Sequence, residues 1–298
     1  MDYRSTITRS KALSSIPERK LQEYILNLVN SCKICSAKNV KVIEQAIDGL
    51  CEKCAVKVIA YNRYADSNIP INYWNLDMKD FQGPDALKKS YEQISADFSA
   101  AYRDGISICF AGSHGVGKTL TATNILKRAC LKNYVCLYTS LADIVSALID
   151  SPTEEKFLSR RELMIVDFLV IDEFDSRFMQ TETTADLFGK MLEHIFRTRS
   201  QNKIPTLFCT NSPNPVESFT GAIKSSIDSL MSQVKIIPVI SADFRKKDDW
   251  KKSVPDFLNK QQAIRFAKEA GISDGKKFDE VANPKYILGN DIQKAENK

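Results

Sequence analysis

The chain reads Gly112-Ser113-His114-Gly115-Val116-Gly117-Lys118-Thr119 directly after the run Ile106-Ser107-Ile108-Cys109-Phe110-Ala111. Glycine reaches backbone conformations that a Cβ forbids, so a loop with several glycines can turn its N–H groups inward onto an anion. The lysine offers a cation to phosphate oxygens, and the threonine offers a hydroxyl to a divalent metal. Residues 106–110 predict a strand and 117–131 a helix, whose positive N-terminal end adds to the same pull. Strand, glycine loop and helix in that order are the context that the pattern G-x-x-x-x-G-K-[ST] requires. This stretch decides the fold: an α/β architecture in which a parallel sheet lies between helices.

Further along stands Phe168-Leu169-Val170-Ile171-Asp172-Glu173, an apolar strand that ends in two acids. The carboxyl ends of the strands are where open α/β sheets bind ligands. Asp172 is placed to hold magnesium, together with Thr119, and Glu173 to polarise a water. Asp175 reads as a solvated third acid. Asn211 follows the strand Thr206-Leu207-Phe208-Cys209-Thr210. Its amide suits orientation of a water near a terminal phosphate, and Asn211-Ser212-Pro213 also reads as an ordinary turn. ATP is the nucleotide this set implies, with Lys118, Glu173 and Asn211 in catalytic roles.

Around these motifs strands and helices alternate. Strands are expected at 106–110, 134–138, 168–171, 206–209 and 234–240. Helices are expected at 85–103, 117–131, 141–149, 154–163, 184–199 and about 215–231. Such alternation predicts a parallel sheet covered on both faces. Leu21, Tyr24, Ile25, Leu28 and Val29 form one face of an earlier helix. Residues 61–84, rich in Asn, Asp and Pro, read as a linker with aromatic anchors at Tyr73, Trp74 and Phe81. Residues 255–270 form one helical stretch in the tail.

Eight cysteines stand in the chain. Cys109, Cys130, Cys136 and Cys209 sit singly in apolar stretches, as small buried hydrophobes do. The other four form Cys32-x2-Cys35 and Cys51-x2-Cys54, with fifteen residues between the pairs. This spacing matches four-thiolate zinc sites. Only two histidines occur, His114 and His194, neither near the pairs. A reactive dithiol or an iron–sulfur cluster would use the same thiols. No apolar run approaches the roughly 20 residues that span a bilayer, and the polar start has no signal core, so a cytoplasmic protein is expected. The net charge of +5 is modest, with basic residues dense at 245–252 and at Lys276-Lys277, which suits weak contact with an anionic polymer or a solvated tail.

The order of P-loop, helix pair, Asp-Glu strand and Asn-ended strand resembles the AAA+ ATPases. More narrowly it resembles the DnaC/DnaI-type replicative helicase loaders and their IstB-like transposition relatives, over roughly residues 65–245. Ile69-Pro70, Tyr73, Phe81, residues 112–119, Val170-Ile171-Asp172-Glu173 and Thr210-Asn211 carry the likeness; in the family they form a lead-in segment, Walker A, Walker B and the first sensor. The resemblance divides the chain into an N-terminal helical and zinc-binding partner module (1–60), a lead-in linker (61–84), an AAA+ ATPase domain (85–245) and a basic extension (246–298). It implies a loader that uses ATP to bind a hexameric replicative helicase and assist its placement on single-stranded DNA, in a bacterial or phage-infected cell. It also implies ATP-dependent assembly with itself or on the helicase.

The helix pair at about 140–163 is the region that faces single-stranded DNA in related proteins, where Lys156, Arg160 and Arg161 lie; a solvated helix face has the same composition. Arginines that the family carries after the first sensor are missing. Lys224-Ser225-Ser226-Ile227-Asp228-Ser229 stands in their place. Lys224, Arg197 and Arg199 are the candidates for reaching a neighbour's nucleotide, and the two arginines also read as helix C-terminal charge complementation. Loss of a trans-acting arginine implies weak hydrolysis by the chain alone. Two other functions fit the same residues: a transposition ATPase acting on duplex DNA, and a slow-turnover, zinc-bearing adaptor switched by nucleotide.

Overall fold

The computed structural model describes residues 10–13, 16, 18–32, 52–175, 182–239 and 241. All belong to the first of the two units into which the chain divides, Met1–Ala242. Cys35, Cys51, the basic stretch at 245–252 and the tail helix expected at 255–270 lie outside the described residues.

Five short strands form one parallel sheet: β1 (Ile108–Gly112), β2 (Cys136–Ser140), β3 (Phe168–Asp172), β4 (Thr206–Thr210) and β5 (Lys235–Val239), in the order β2-β3-β4-β1-β5. Every pairing is parallel. β1, β3 and β4 are buried along their whole length, because helices cover both faces. Strands buried on both sides have no polar face to show, so they read as continuous apolar runs. Side chains still alternate: Ile108, Phe110, Phe168, Val170, Leu207 and Cys209 enter one core layer, and Cys109, Ala111, Leu169, Ile171 and Phe208 enter the other.

The connections assign the layers. From β1 the chain crosses β4 and β3 to reach β2 at the far edge, and then steps back the other way through β3 and β4 to β5. Right-handed crossovers in opposite directions put their helices on opposite faces. α5 (Lys118–Leu131) therefore packs on the first face. α6 (Leu141–Ile149), α7 (Thr153–Ile165), α8 (Glu182–Gln201) and α9 (Gly221–Met231) pack on the second. The neighbours β1 and β4 send their connections to opposite faces, so the crevice for a ligand opens beyond their carboxyl ends.

Upstream lie α1 (Glu18–Cys32), α2 (Glu52–Asp66), α3 (Asp85–Ala96) and α4 (Phe98–Arg103). The expected single helix over 85–103 is broken at Asp97. That residue is extended (φ −145°), and its carboxylate accepts the Ala100 N–H at 2.9 Å, capping α4. The expected helix over 215–231 begins only at Gly221.

Residues 61–84 are not a loose linker. α2 runs through the first six of them to Asp66. Tyr61 and Trp74 stack with ring centroids 5.1 Å apart, and Tyr24 from α1 meets the Trp74 ring edge-on at 5.2 Å. The Trp74 indole donates to the Ile69 carbonyl at 2.7 Å. Lys127 of α5, buried, donates to the Tyr73 and Leu76 carbonyls, and burial lowers its pKa to about 8. The segment thus fastens α1 and α2 onto the back of α5. Among the α1 stripe residues Leu21 and Tyr24 pack on this core; the side chains of Leu28 and Val29 lie outside the described residues.

The four single cysteines are all buried and unbridged. Burial pushes the Cys109 and Cys130 thiols up to about 12, which leaves them protonated and inert at neutral pH. No described helix is long and apolar enough to cross a membrane.

Candidate nucleotide site

Gly112, Gly115 and Gly117 adopt φ of +146°, +71° and +97°. A Cβ at Gly112 would stand 1.9 Å from the Val239 carbonyl oxygen, and one at Gly117 would stand 2.5 Å from the Phe81 ring. The loop therefore lies so close to β5 and to Phe81 that neither position has room for a side chain. Gly117 itself is the N-cap of α5, so no cap side chain competes for the first free N–H groups of the helix.

Lys118, in the first turn of α5, is buried, yet its ammonium is held by acceptors. It donates to the Gly112 carbonyl at 3.0 Å, the Ser113 carbonyl at 2.5 Å and the Asn211 Oδ1 at 3.0 Å. The loop and the end of β4 are thereby brought onto one cation. Thr119 is half-buried in the same turn, and His114 is exposed in the loop.

Asp172 closes β3 and is buried, with two donors on its carboxylate: the Tyr138 hydroxyl at 2.7 Å and the Glu173 N–H at 2.8 Å. Glu173 is exposed and has φ +50°. A non-glycine residue in that region stores roughly 1–3 kcal/mol, and it persists only where its surroundings impose it. They do so here: the Phe174 N–H donates to the Cys209 carbonyl at 2.9 Å, and the buried Phe174 ring meets Phe208 and Phe219 at 4.9 and 5.3 Å. The backbone reverses at Glu173, so Phe174 turns inward while the Glu173 carboxylate projects outward. Asp175, expected to be solvated, is buried instead, because the same reversal turns it back toward the protein.

The donor set suits a magnesium nucleotide. A hydroxyl and a carboxylate are the oxygen ligands a hard divalent cation takes alongside water and phosphate. Thr119 and Asp172 are the residues that would hold it, and the loop N–H groups and Lys118 those that would meet the phosphates.

The remaining candidates divide. Arg199 is 1% exposed. It donates to the Thr206 hydroxyl and the Leu163 and Val166 carbonyls, each at 2.9 Å, and to the Pro205 carbonyl at 2.6 Å. It braces α7, α8 and β4 and does not reach a neighbour, which corrects its assignment as a trans-acting residue. Desolvation lowers its pKa to about 9, still well above neutrality, and the nearby Asp167 acts against that fall. Arg199→Met is expected to cost about 3–5 kcal/mol of stability, because it strips donors from several buried acceptors at once. Urea unfolding checks this; a loss under about 0.5 kcal/mol, as for a surface residue, contradicts the brace.

Arg197 is exposed and pairs with Glu193 one turn earlier. Glu193 also accepts from the Ser226 hydroxyl at 2.8 Å, which puts Arg197 beside α9 in a groove shared with Ser229. Lys224 and Ser225 are exposed on α9. On α7, Lys156 and Arg160 are half-buried and Arg161 is exposed, with Phe157 between them 65% exposed. The Arg160 Nε is buried and makes no hydrogen bond among the described residues. Of the paired cysteines, Cys32 ends α1 and Cys54, buried, lies in the first turn of α2. No group of three or more metal-ligand side chains occurs among the described residues, which exclude Cys35 and Cys51.

Sequence reasoning missed Tyr138, whereas Phe81, read as an aromatic anchor, packs its ring against Gly117. Nothing in a strand's spacing marks a tyrosine for a contact with the end of the neighbouring strand.

The sequence profile of IstB-like ATP binding proteins matches residues 72–251. Over 111 residues, 36% of this chain, the sequence is 35% identical to the replicative helicase loader DnaC of Escherichia coli strain K12, and to that of Shigella flexneri in the same measure. The matched stretch is 42% of those relatives, so the chain spans less than half of their length. Among solved structures, the crystal structure of the DnaC helicase loader aligns over 57% of this chain and 100% of its own, with 19% identity and a TM-score of 0.44. The crystal structure of DnaI aligns over 59% and 93%, with 18% identity and a TM-score of 0.46. The profile covers the glycine loop, the Asp172–Glu173 turn and Asn211 together, and the chain belongs to the family of IstB-like ATP binding proteins.

Proposed function

We propose that this chain is an ATP-dependent helicase loader that binds a hexameric replicative helicase and assists its placement on single-stranded DNA. The observation that carries the reading is the 35% identity to DnaC over 111 residues. The site geometry supports the chemistry: residues 112–119 wrap the phosphates, Lys118 neutralises the terminal ones, Thr119 and Asp172 hold magnesium, Glu173 polarises the water and Asn211 orients it. Magnesium, when bound, offsets charge on the phosphates. Hydrolysis is slow in the isolated chain, since the α9 positions at 225, 226 and 229 are serines. Arg197, kept at the α8–α9 groove by Glu193, or Lys224 serves a neighbouring nucleotide in an assembly with helicase or with further copies.

Single-stranded DNA meets α7. Basic Lys156, Arg160 and Arg161 suit the backbone, and an exposed aromatic such as Phe157 offers a stacking surface to a base. Zinc is held by Cys32, Cys35, Cys51 and Cys54 in a closed structural site that shapes the partner-binding module.

The test is the mass of the complex formed with the replicative helicase of the same replicon, by light scattering with ATP and with ADP. A defined complex is expected, and Cys32→Ser/Cys35→Ser is expected to lose both zinc and the complex while ATP binding persists. No complex in either nucleotide, together with duplex DNA binding, transfers the assignment to a transposition ATPase. A complex formed without any turnover points to the nucleotide-switched adaptor.

A further inference from the structure

Behind Asp172 stands a residue outside the P-loop and Asp-Glu patterns. Tyr138, on β2, points its hydroxyl at Asp172 and donates to Oδ2 at 2.7 Å, while the Glu173 N–H donates to Oδ1 at 2.8 Å. A carboxylate has about four acceptor positions, so two donors on different oxygens fix its plane and leave a lone pair on each for a metal or its water. Tyr138 is itself fixed. Its N–H donates to the Ser67 carbonyl at 2.8 Å, and its carbonyl accepts from the Asn68 amide at 3.0 Å. The same Asn68 amide donates to the Leu13 carbonyl at 2.8 Å, and Asn68 sits at φ +54°, a conformation asparagine tolerates well. A chain of hydrogen bonds therefore runs from the N-terminal segment through the turn after α2 to the carboxylate assigned to magnesium.

We infer that Tyr138 is a positioning residue that orients the Asp172 carboxylate for the nucleotide-bound divalent cation, and that Asn68 holds it in place. This rests on the magnesium-nucleotide reading of the site. Ligands of metals are commonly oriented by an outer hydrogen bond, and loss of such a partner typically costs about 10–100-fold in metal affinity.

Tyr138→Phe keeps the ring and removes only the donor. Two quantities separate orientation from packing: affinity for an ATP analogue in excess chelator, and the concentration of Mn2+ that half-saturates the protein–analogue complex, read by electron paramagnetic resonance. Unchanged chelator affinity is expected, with a half-saturating Mn2+ concentration raised about 10-fold. Half-saturation within twofold of wild type, or tighter, overturns the inference. Wild-type protein that binds the analogue with no metal dependence overturns the reading of the site and the inference with it. Should Tyr138→Phe fail to fold, Asn68→Gly, which retains the positive φ and deletes the amide, is expected to raise the same value about threefold.

Discussion

Lys118→Ala is expected to remove nucleotide binding. In the wild type a buried ammonium bonds two loop carbonyls and Asn211, so it is already desolvated inside the loop proposed to hold the phosphates. Truncating one partner of a buried, hydrogen-bonded charge pair costs about 2–5 kcal/mol, and every 1.4 kcal/mol is tenfold, so affinity should fall by at least about 30-fold. Titration calorimetry with a nonhydrolysable ATP analogue checks it. The unfolding midpoint in the absence of nucleotide separates loss of a ligand contact from loss of the loop. Wild-type affinity in this variant would mean that the phosphates sit elsewhere.

The second large effect belongs to Glu173. Its carboxylate is exposed at a reversed backbone that Phe174 holds in place, and the role proposed for it is to polarise the attacking water. Glu173→Gln has the same shape and backbone demand but a far weaker base. ATP affinity should stay within about twofold of wild type. Hydrolysis, measured with helicase and single-stranded DNA present, should drop by about 10²–10⁴-fold. Unchanged hydrolysis would place the base at another residue. Glu173→Gly relieves the left-handed conformation, so it should lose turnover and gain stability together.

The sheet and the nucleotide loop were legible because their physics is local. A parallel strand covered on both faces must be apolar throughout, and a phosphate loop must be glycine-rich between a strand and a helix. What escaped was fixed by packing. Residues 61–84 carry the Asn, Asp and Pro of a linker, yet Tyr61 and Trp74 stack in the core and Trp74 and Lys127 satisfy its carbonyls. The helix over 85–103 has no proline or glycine to stop it at 97; the aspartate that stops it acts by capping the next helix.

Arg197 and Arg199 look alike in sequence. Two positions apart on a helix they point about 200° apart. Leu192, Ile195, Phe196 and Arg199 follow the spacing of a buried stripe, and all four are buried. That spacing was readable in advance and marks Arg199 as part of the core. Asp175 and Tyr138 carried no comparable signal, since a backbone reversal buries the first and a contact across the sheet defines the second.

The loader reading is tested most directly by placing helicase on circular single-stranded DNA, which offers no end to thread. The replicative helicase, this chain and ATP are mixed with the circle, and DNA-bound helicase is counted after free protein is removed. Closed helicase rings are expected on the circle with wild-type chain and ATP, and none with Lys118→Ala. Equal loading without the chain or with Lys118→Ala, or retention of the chain on duplex circles alone, would contradict the loader reading.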